Sequence, residues 1–413
     1  MTIETDLLIN EYSPEDFPGY GETDEPVCAK CFGDEDISKS IESFSGPPGC
    51  HFCGGQDAPT APLELVTEHM HACLSQFYGF AVNQLPYESR EGGYQGEHWD
   101  TIELLLDQVE LYLPRDRDDR LLHQLTHRIS DEIWCRYDWI TLDYDEELEH
   151  SWKSFCRKIQ HERRFFFDVP QGADEKHNVD SFFDREGFSP LELLNEIVKL
   201  AQEFDLIQLF SIGKTFFRAR PCVRTQCYQT AEQLGPPPAE MAVQANRMNP
   251  PGIPMMYSAE TASTAARETR SGSVTVGKFE TEREIRVVDI ADLPKIPGIF
   301  SGEDRRTRLG LIFLHAFARE IARPVERTDR IHIDYIPSQV VTEFIRDTKV
   351  AGKRIDGIRY PSTVDPSGRN LVLFATQGDL REVDGTPVTR NGYPPSEPWI
   401  RLIEAFLFNE SER

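Results

Sequence analysis

The spacing of apolar residues changes near residue 210, and this change constrains the fold more than any other feature of the sequence. Before it, apolar residues recur with helical spacing over long stretches, whereas after it short apolar runs alternate with short helical stretches. The predicted helices cover 63–83, 101–113, 118–139, 145–165 and 189–209. The predicted strands are Thr215–Arg218, Met255–Ser258, Ser273–Val276, Ile285–Ile290, Arg330–Ile333, Gly357–Tyr360 and Leu371–Ala375. An all-α region followed by an α+β domain is therefore expected.

Charge divides the chain at nearly the same place. Of the 70 Asp and Glu residues, 42 lie in residues 1–200 beside 16 of the 44 Lys and Arg residues, so this part carries the whole net charge of −26. An acidic surface repels phosphate backbones and anionic lipid headgroups. Nucleic acid is therefore not an expected partner. We predict a multidomain chain with an acidic N-terminus and zinc module at 1–58, an acidic all-α domain at 59–209 and a neutral α+β domain at 210–413.

The sequence contains no positively charged start followed by an apolar segment, and no apolar run of membrane-spanning length. We therefore expect a cytoplasmic protein without a membrane partner. Nine cysteines in such a chain are expected to be metal ligands or buried thiols rather than disulfides.

Four cysteines form two close pairs near the N-terminus. Cys28 and Cys31 have two residues between them, as do Cys50 and Cys53, and 18 residues separate the pairs. This spacing is typical of a structural Zn²⁺ site, in which four thiolates leave no position for a catalytic water. His51 is an alternative ligand that four cysteines make unnecessary. The other five are expected to be ordinary thiols: Cys73, Cys135, Cys156, Cys222 and Cys227.

Common catalytic motifs are missing or incomplete. Gly213-Lys214-Thr215 ends like a phosphate-binding loop, but Gln208 stands where its first glycine should be, and the sequence contains no GxGxxG, HExxH or GxSxG. Arg120 and His127, with six residues between them, match the Arg and His pair with which helical HEPN domains cut RNA. The acidic surroundings oppose a polyanionic substrate, so RNA cleavage is the weaker interpretation.

The segment 246–268 combines a turn, a strand and a helix. Its Gly/Pro-rich start leads to a strand that ends at Tyr257, and a helix rich in Ala and Thr then carries Glu268. Helical spacing gives Glu268 the same face as Thr264 and Ala265. The glutamate is therefore expected near the end of the strand.

Several motifs occur in a fixed order over roughly 210–380. They are Phe216-Phe-Arg-Ala-Arg, Asn246-Arg247, Tyr257 eleven residues before Glu268, Tyr335-Ile-Pro-Ser-Gln-Val, Asp356-Gly-Ile-Arg-Tyr-Pro-Ser362 and Asn370-Leu-Val-Leu-Phe. In order and spacing they resemble the RES domain, a family named for its Arg, Glu and Ser. The acidic helical region behind a cysteine-rich start resembles the HEPN-like N-terminal domain that is fused to some RES proteins.

The resemblance implies an ADP-ribosyltransferase-like fold that acts on NAD⁺, often as the toxin of a toxin–antitoxin pair. It also implies that five residues line the NAD⁺ site, with Glu268, Tyr257, Arg247 and Ser362 in catalysis and Arg218, Arg247, Tyr257 and Ser362 in binding. Whether Arg218 or Arg220 matches the early family arginine stays open.

The residue types suit this chemistry. A guanidinium offers paired, charge-assisted hydrogen bonds to a pyrophosphate. A Tyr ring attracts the cationic nicotinamide by about 0.5–2 kcal/mol. A carboxylate at Glu268 would stabilise the oxocarbenium-like ribose that forms as the nicotinamide bond breaks.

Three functions fit these observations. The first is an NAD⁺ glycohydrolase or phosphorylase, a toxin or defence effector that the N-terminal half or a partner restrains. The second is a mono-ADP-ribosyltransferase that modifies a protein, and the third is a non-catalytic adaptor that binds zinc. A neutralising antitoxin or a trigger protein is an expected partner of the acidic half, and a homo-oligomer is compatible with the sequence.

Overall fold

The computed structural model describes residues 25–44, 46–90, 92–137, 142–166, 187–222, 227–323, 331–388 and 397–409. The chain divides into two compact units. The first comprises Met1–Leu142 with Ile296–Arg308, and the second comprises Asp143–Lys295 with Leu309–Arg413. The layout is thus an N-terminal helical region and a C-terminal sheet-rich domain. Within the described residues, no helix is long and apolar enough to cross a membrane.

The helices are α1 (Glu35–Ser43), α2 (Leu63–Leu74), α3 (Ala81–Gln84), α4 (Thr101–Glu103), α5 (Arg120–Ile129), α6 (Tyr144–Arg157), α7 (Pro190–Glu203), α8 (Ala231–Leu234), α9 (Ala262–Thr269), α10 (Arg305–Ala322), α11 (Ile331–Asp334) and α12 (Ile336–Asp347). Wider π-type turns extend α4 over Leu104–Gln108 and α6 over Lys158–Glu162. Single 3₁₀ turns occur at Ala29–Cys31, Ala239–Met241, Ile299–Ser301 and Gln377–Asp379.

The strands are β1 (Pro26–Cys28), β2 (Thr60–Pro62), β3 (Tyr78–Phe80), β4 (Tyr87–Glu88), β5 (Gly93–Tyr94), β6 (Trp134–Arg136), β7 (Ile207–Phe210), β8 (Thr215–Pro221), β9 (Met256–Ala259), β10 (Ser273–Thr281), β11 (Ile285–Asp289), β12 (Lys349–Val350), β13 (Lys353–Arg354), β14 (Gly357–Pro361), β15 (Arg369–Leu373), β16 (Leu380–Arg381) and β17 (Ile400–Asn409).

The first unit has one apolar core that includes the cysteine module. Cys28 and Cys31 are fully buried in the same cluster as Leu63 and Met70 of α2. Antiparallel pairing of β1 with β2 joins the two parts of the chain. Phe300 is 2% exposed in this core, and the His69 ring lies 2.9 Å from its carbonyl oxygen through Nε2. The predicted boundary at residue 58 therefore does not separate two units, because the small module buries its apolar side chains against the helices.

The first unit is helical but not all-α. Of the predicted helix 63–83, α2 and the start of α3 form, with β3 between them. Helix α5 covers only part of 118–139, of which residues 138 and 139 lie outside the described part. The sequences that follow α2 and α5 pair as β3 and β6, with Phe80 opposite Trp134. Their rings lie 4.7 Å apart, and Trp134 is 1% exposed. Burial of aromatic side chains across two strands thus overrides the local helical pattern.

The helices α6 and α7 belong to the second unit, so the predicted boundary at residue 209 does not coincide with a unit boundary either. Ser189 and Glu192 form a capping box at the start of α7. The helix buries Leu193, Leu194, Ile197 and Leu200. These side chains need an apolar partner surface, and the second unit provides it.

Nine strands of the second unit form one mixed sheet within the described residues. The order is β16-β17-β10-β8-β9-β15-β14-β11-β7. The pairs β16/β17 and β11/β14 are parallel, and the other neighbours are antiparallel. The long strand β17 was not predicted. The predicted strand Arg330–Ile333 is wrong, because residues 331–334 form α11 and lead into α12; residue 330 is not described. An apolar run of four residues does not distinguish a strand from a helical turn.

The sheet opens between β8 and β9. Strand β8 pairs with β10 at seven register positions but with β9 only at Phe217 and Ala259. The two strands diverge beyond this pair, which leaves room for a cleft in the middle of the sheet.

Candidate active site

A cleft of about 320 Å³ lies where β8 and β9 diverge. Three of its lining residues, Arg218, Asn246 and Tyr257, also line a second recess of about 450 Å³. Both volumes lie in the range of small-molecule sites. The split in the sheet therefore creates a site with two connected parts.

Arg218 stands at the junction of the two recesses. Its Nη1 donates to the carbonyl oxygen of Tyr257 at 2.8 Å, across the gap between the strands. Its Nε is buried and has no hydrogen-bond partner among the described residues. Burial lowers the pKa of Arg218, and the nearby charge of Arg220 lowers it further. Because an arginine stays protonated, a ligand anion would relieve this buried charge.

Arg220 has a different environment. It lines only the second recess, and its Nη2 donates to the carbonyl oxygen of Gly235 at 2.7 Å. Of the two arginines, Arg218 is therefore the one that lines the recess containing Glu268.

Tyr257 is anchored through its hydroxyl. Its Oη donates to Asn249 Oδ1 at 2.7 Å and accepts from the Met248 amide at 3.2 Å. Burial raises the pKa of Tyr257 well above its ordinary value. The hydroxyl is therefore protonated at neutral pH and unsuited to act as a base. Tyr257 lines both recesses.

The loop that carries Arg247 is held by α12. Gln339 Nε2 donates to the carbonyl oxygens of Asn246 at 2.8 Å and Asn249 at 3.1 Å, and the Ser338 hydroxyl donates to the carbonyl oxygen of Arg247. The Arg247 guanidinium lies 5.8 Å from the centre of the Tyr360 ring. The sequence contained the Ser-Gln motif, but its supporting role emerges only from these contacts.

Glu268 lies near the end of α9, and its side chain is exposed in the cleft. The Thr261 hydroxyl caps this helix by accepting from the Thr264 amide at 3.1 Å. Thr264 does not line the cleft, as its hydroxyl donates to Asp365 at 2.6 Å. Glu268 Oε1 accepts two hydrogen bonds, from Ser362 Oγ at 2.7 Å and from Asn370 Nδ2 at 2.5 Å.

Ser362 lies beside Glu268 rather than on the described lining of the cleft. It is 7% exposed, and its oxygen also accepts from the Asp365 amide at 3.2 Å. Gly368 closes this turn against α9, since a Cβ there would lie 2.6 Å from Thr264 Cγ2. The turn thus fixes Ser362 relative to the helix that carries Glu268.

Two family models match the chain. One is the HEPN/RES N-terminal domain 1, over residues 45–172, and the other is the RES domain, over residues 217–390. The chain carries a RES domain. It follows a HEPN/RES N-terminal domain, and both predicted resemblances are confirmed. No curated protein sequence matches the chain significantly. At the level of the family, a RES domain implies an enzyme that acts on NAD⁺.

The charges of the RES-domain cleft suit a dinucleotide. Among its described lining residues, Arg218 and Arg247 are the cationic ones and Glu268 is the acidic one. The arginines can bind a pyrophosphate. The carboxylate can face a developing positive charge.

The four cysteines before and within the HEPN/RES N-terminal domain lie together. Their Sγ atoms are all within 4.8 Å of one another, with 3.7 Å between Cys28 and Cys31, 3.6 Å between Cys28 and Cys53, and 3.6 Å between Cys31 and Cys50. Tetrahedral Zn–S bonds of about 2.3 Å require sulfur atoms about 3.8 Å apart. The cluster therefore fits a zinc ion in both donor type and spacing.

Arg120 and His127 have separate partners. Arg120 Nη2 lies 3.0 Å from His51 Nε2, whereas His127 Nδ1 lies 3.4 Å from Asp131 on a side chain that is 78% exposed. These contacts are those of a helix surface, and they provide no support for RNA cleavage.

Proposed function

We propose that the RES domain breaks the N-glycosidic bond between nicotinamide and ribose in NAD⁺. The observation that carries this proposal is the Glu268 carboxylate, which is exposed in a cleft whose other described charged groups are Arg218 and Arg247. One carboxylate beside two cations matches a substrate that combines a pyrophosphate with a ribose that becomes cationic.

Binding would use both recesses. A pyrophosphate at Arg218 would pair with a buried guanidinium that has an unpartnered Nε, and Arg220 would add a second positive charge on the same side. The nicotinamide ribose would then extend towards Glu268, and the adenosine towards the second recess. The Tyr257 ring is available to the cationic nicotinamide.

The reaction follows from the charge of Glu268. The C1″–N bond breaks, its electron pair leaves with nicotinamide, and the ribose acquires oxocarbenium character. A carboxylate held beside C1″ stabilises this charge more in the transition state than in the ground state. Water then adds to C1″ and releases a proton, which gives ADP-ribose. If phosphate adds instead, the product is ADP-ribose 1″-phosphate, and the first step is the same.

We also propose that this activity is toxic and is restrained by the N-terminal half or by a neutralising partner. Two observations support this proposal: the toxin-type activity that the RES family implies, and the concentration of the −26 charge in residues 1–200. An acidic surface can attract a basic protein partner. Growth arrest on expression, relieved by Glu268→Ala, is the expected result in cells.

For the first unit we propose a structural Zn²⁺ held by Cys28, Cys31, Cys50 and Cys53. Four thiolates would complete its coordination, so the ion would contribute to folding and not to the reaction.

The enzymatic proposal is tested with the purified full chain and NAD⁺. Nicotinamide and ADP-ribose products are separated chromatographically, with and without inorganic phosphate. Glu268→Gln should lower kcat by about 10²–10³ because it removes the charge that acts on the transition state. Glu284→Gln makes the same change at an exposed position outside the cleft and should have no effect.

The products distinguish the alternatives. ADP-ribose indicates hydrolysis, ADP-ribose 1″-phosphate indicates phosphorolysis, and transfer of label from NAD⁺ to a protein indicates mono-ADP-ribosylation. A protein that consumes no NAD⁺ in any of these assays contradicts the proposal and leaves the adaptor function.

A further inference from the structure

Glu268 is held from one side only. Both of its hydrogen bonds reach Oε1, from Ser362 and Asn370, and Oε2 has no donor among the described residues. Two donors on one oxygen fix the orientation of the carboxylate, because the group cannot rotate without breaking both bonds. The second oxygen is left available to the cleft.

Asn370 is itself rigid. It lies in β15, opposite Tyr360 of β14 on one side and Ala259 of β9 on the other. Asn370 lines the cleft, yet it is only 4% exposed. A donor on a central strand is set by the pairing of three strands, so it holds Glu268 at a defined position relative to the cleft.

The unpaired acceptor of this amide offsets part of the stability that its hydrogen bond to Glu268 contributes. Of the two ends of the Asn370 amide, only the NH₂ group can donate to a carboxylate. Because the NH₂ group faces Glu268, Oδ1 points away from it. Oδ1 is buried and has no hydrogen-bond partner in the described part of the chain. An unpaired buried acceptor is destabilising, and such groups in a native structure call for another explanation.

We propose that Asn370 is a positioning residue that, together with Ser362, orients the Glu268 carboxylate so that Oε2 faces the reacting ribose. This inference rests on the proposed function. Asn370 acts through Glu268 and does not need to touch the substrate, so its loss should affect kcat and leave the KM for NAD⁺ nearly unchanged.

Asn370→Asp is the most informative variant because it keeps the shape and replaces the donor by an oxygen. At pH 8 two carboxylates would face each other at the present 2.5 Å contact, and their repulsion would displace Glu268. At lower pH the pair would take up one proton and share it, because two close carboxylates do not both stay ionised. The shared proton restores a hydrogen bond at this contact.

The experiment measures nicotinamide release by the full-length protein between pH 5 and 8. We expect Asn370→Asp to lower kcat about 10²-fold at pH 8, the scale of a misplaced catalytic group, with KM within a few-fold. The ratio of its kcat to that of the wild type should rise as the pH falls. Asn195→Asp, which makes the same charge change on the exposed side of α7, should leave both constants and the pH profile unchanged.

Asn370→Ala provides an independent test that does not add a charge. It should lower kcat without lowering the unfolding temperature, because it also removes the unpaired Oδ1. Any of three results would overturn the inference. Asn370→Ala could keep the wild-type kcat, the ratio of the Asn370→Asp kcat to the wild-type kcat could stay constant with pH, or the variants could raise only the KM for NAD⁺. If Asn370→Asp fails to fold, kcat of Asn370→Ala decides. A wild-type protein that releases no nicotinamide overturns the proposed function and this inference with it, whereas an active wild type with unaffected Asn370 variants overturns this inference only.

Discussion

The contact between Leu200 of α7 and Gly310 of α10 offers a direct test of where the sheet-rich unit begins. Leu200 is fully buried, and a Cβ on Gly310 would lie 3.1 Å from Leu200 Cδ2. The sequence predicted α7 in a separate N-terminal domain, whereas the structure includes it in the sheet-rich unit. A cavity at Leu200 must therefore destabilise the sheet-rich unit.

The size of the effect follows from burial. Replacing a fully buried Leu by Ala costs about 3–5 kcal/mol of unfolding free energy, because transfer energy is lost and a cavity remains. Gly310→Ala alone should change stability little, since a gain of about 1 kcal/mol in helix propensity is offset by crowding against Leu200. In the Leu200→Ala background the crowding against Leu200 is gone, although Phe204 Cε2 still lies 3.3 Å from the added Cβ. The same Gly310→Ala change should therefore restore up to about 1 kcal/mol.

The assay is denaturant-dependent hydrogen exchange, read on peptides from the interior strand β14 and compared with peptides from α2. Leu200→Ala should lower the protection of β14 and leave that of α2 unchanged, and the two variants should couple by up to about 1 kcal/mol in a double-mutant cycle. Unchanged protection of β14 in Leu200→Ala, or strictly additive variants, would refute the assignment of α7 to the sheet-rich unit.

Two further predictions concern the metal and the arginines. Metal analysis of the purified protein should find one zinc per chain. Cys31→Ser should release the zinc and lower the thermal stability of the first unit, whereas Cys227→Ser, at an exposed thiol outside the cluster, should do neither. Metal-free protein with intact cysteines would contradict the zinc site. In steady-state kinetics, Arg218→Gln should raise the KM for NAD⁺ about tenfold or more, because a charge-assisted contact is lost. Arg220→Gln should raise the KM less. The opposite order would contradict the assignment of the pyrophosphate to Arg218.

Sequence reasoning found the residues that bear charge or an aromatic ring but missed those that hold them. Glu268, Tyr257 and Arg218 stand in motifs whose order and spacing are visible along the chain. Asn370 and Gln339 stood in such motifs too, yet their roles depend on partners about 90 to 100 residues away. Ser362 was expected to contact the substrate, and in the structure its hydroxyl donates to Glu268. Spacing along the chain cannot express such a contact.

The boundaries between units show the same limit. The change of apolar spacing near residue 210 is a real change of secondary structure, since α7 ends at Glu203 and β7 begins at Ile207. It is not a boundary between units, because an amphipathic helix does not specify in its own sequence which apolar surface it covers.

The family, the cysteine spacing, the charge division and the approximate position of most of the sheet strands could be predicted from the sequence, because they are properties of residue type and local periodicity. Three features are visible only in the folded chain: β8 and β9 separate into a cleft, α7 joins the sheet-rich unit, and Ser362 and Asn370 converge on one oxygen of Glu268. These features depend on strand register and on packing between distant segments, which local patterns do not encode.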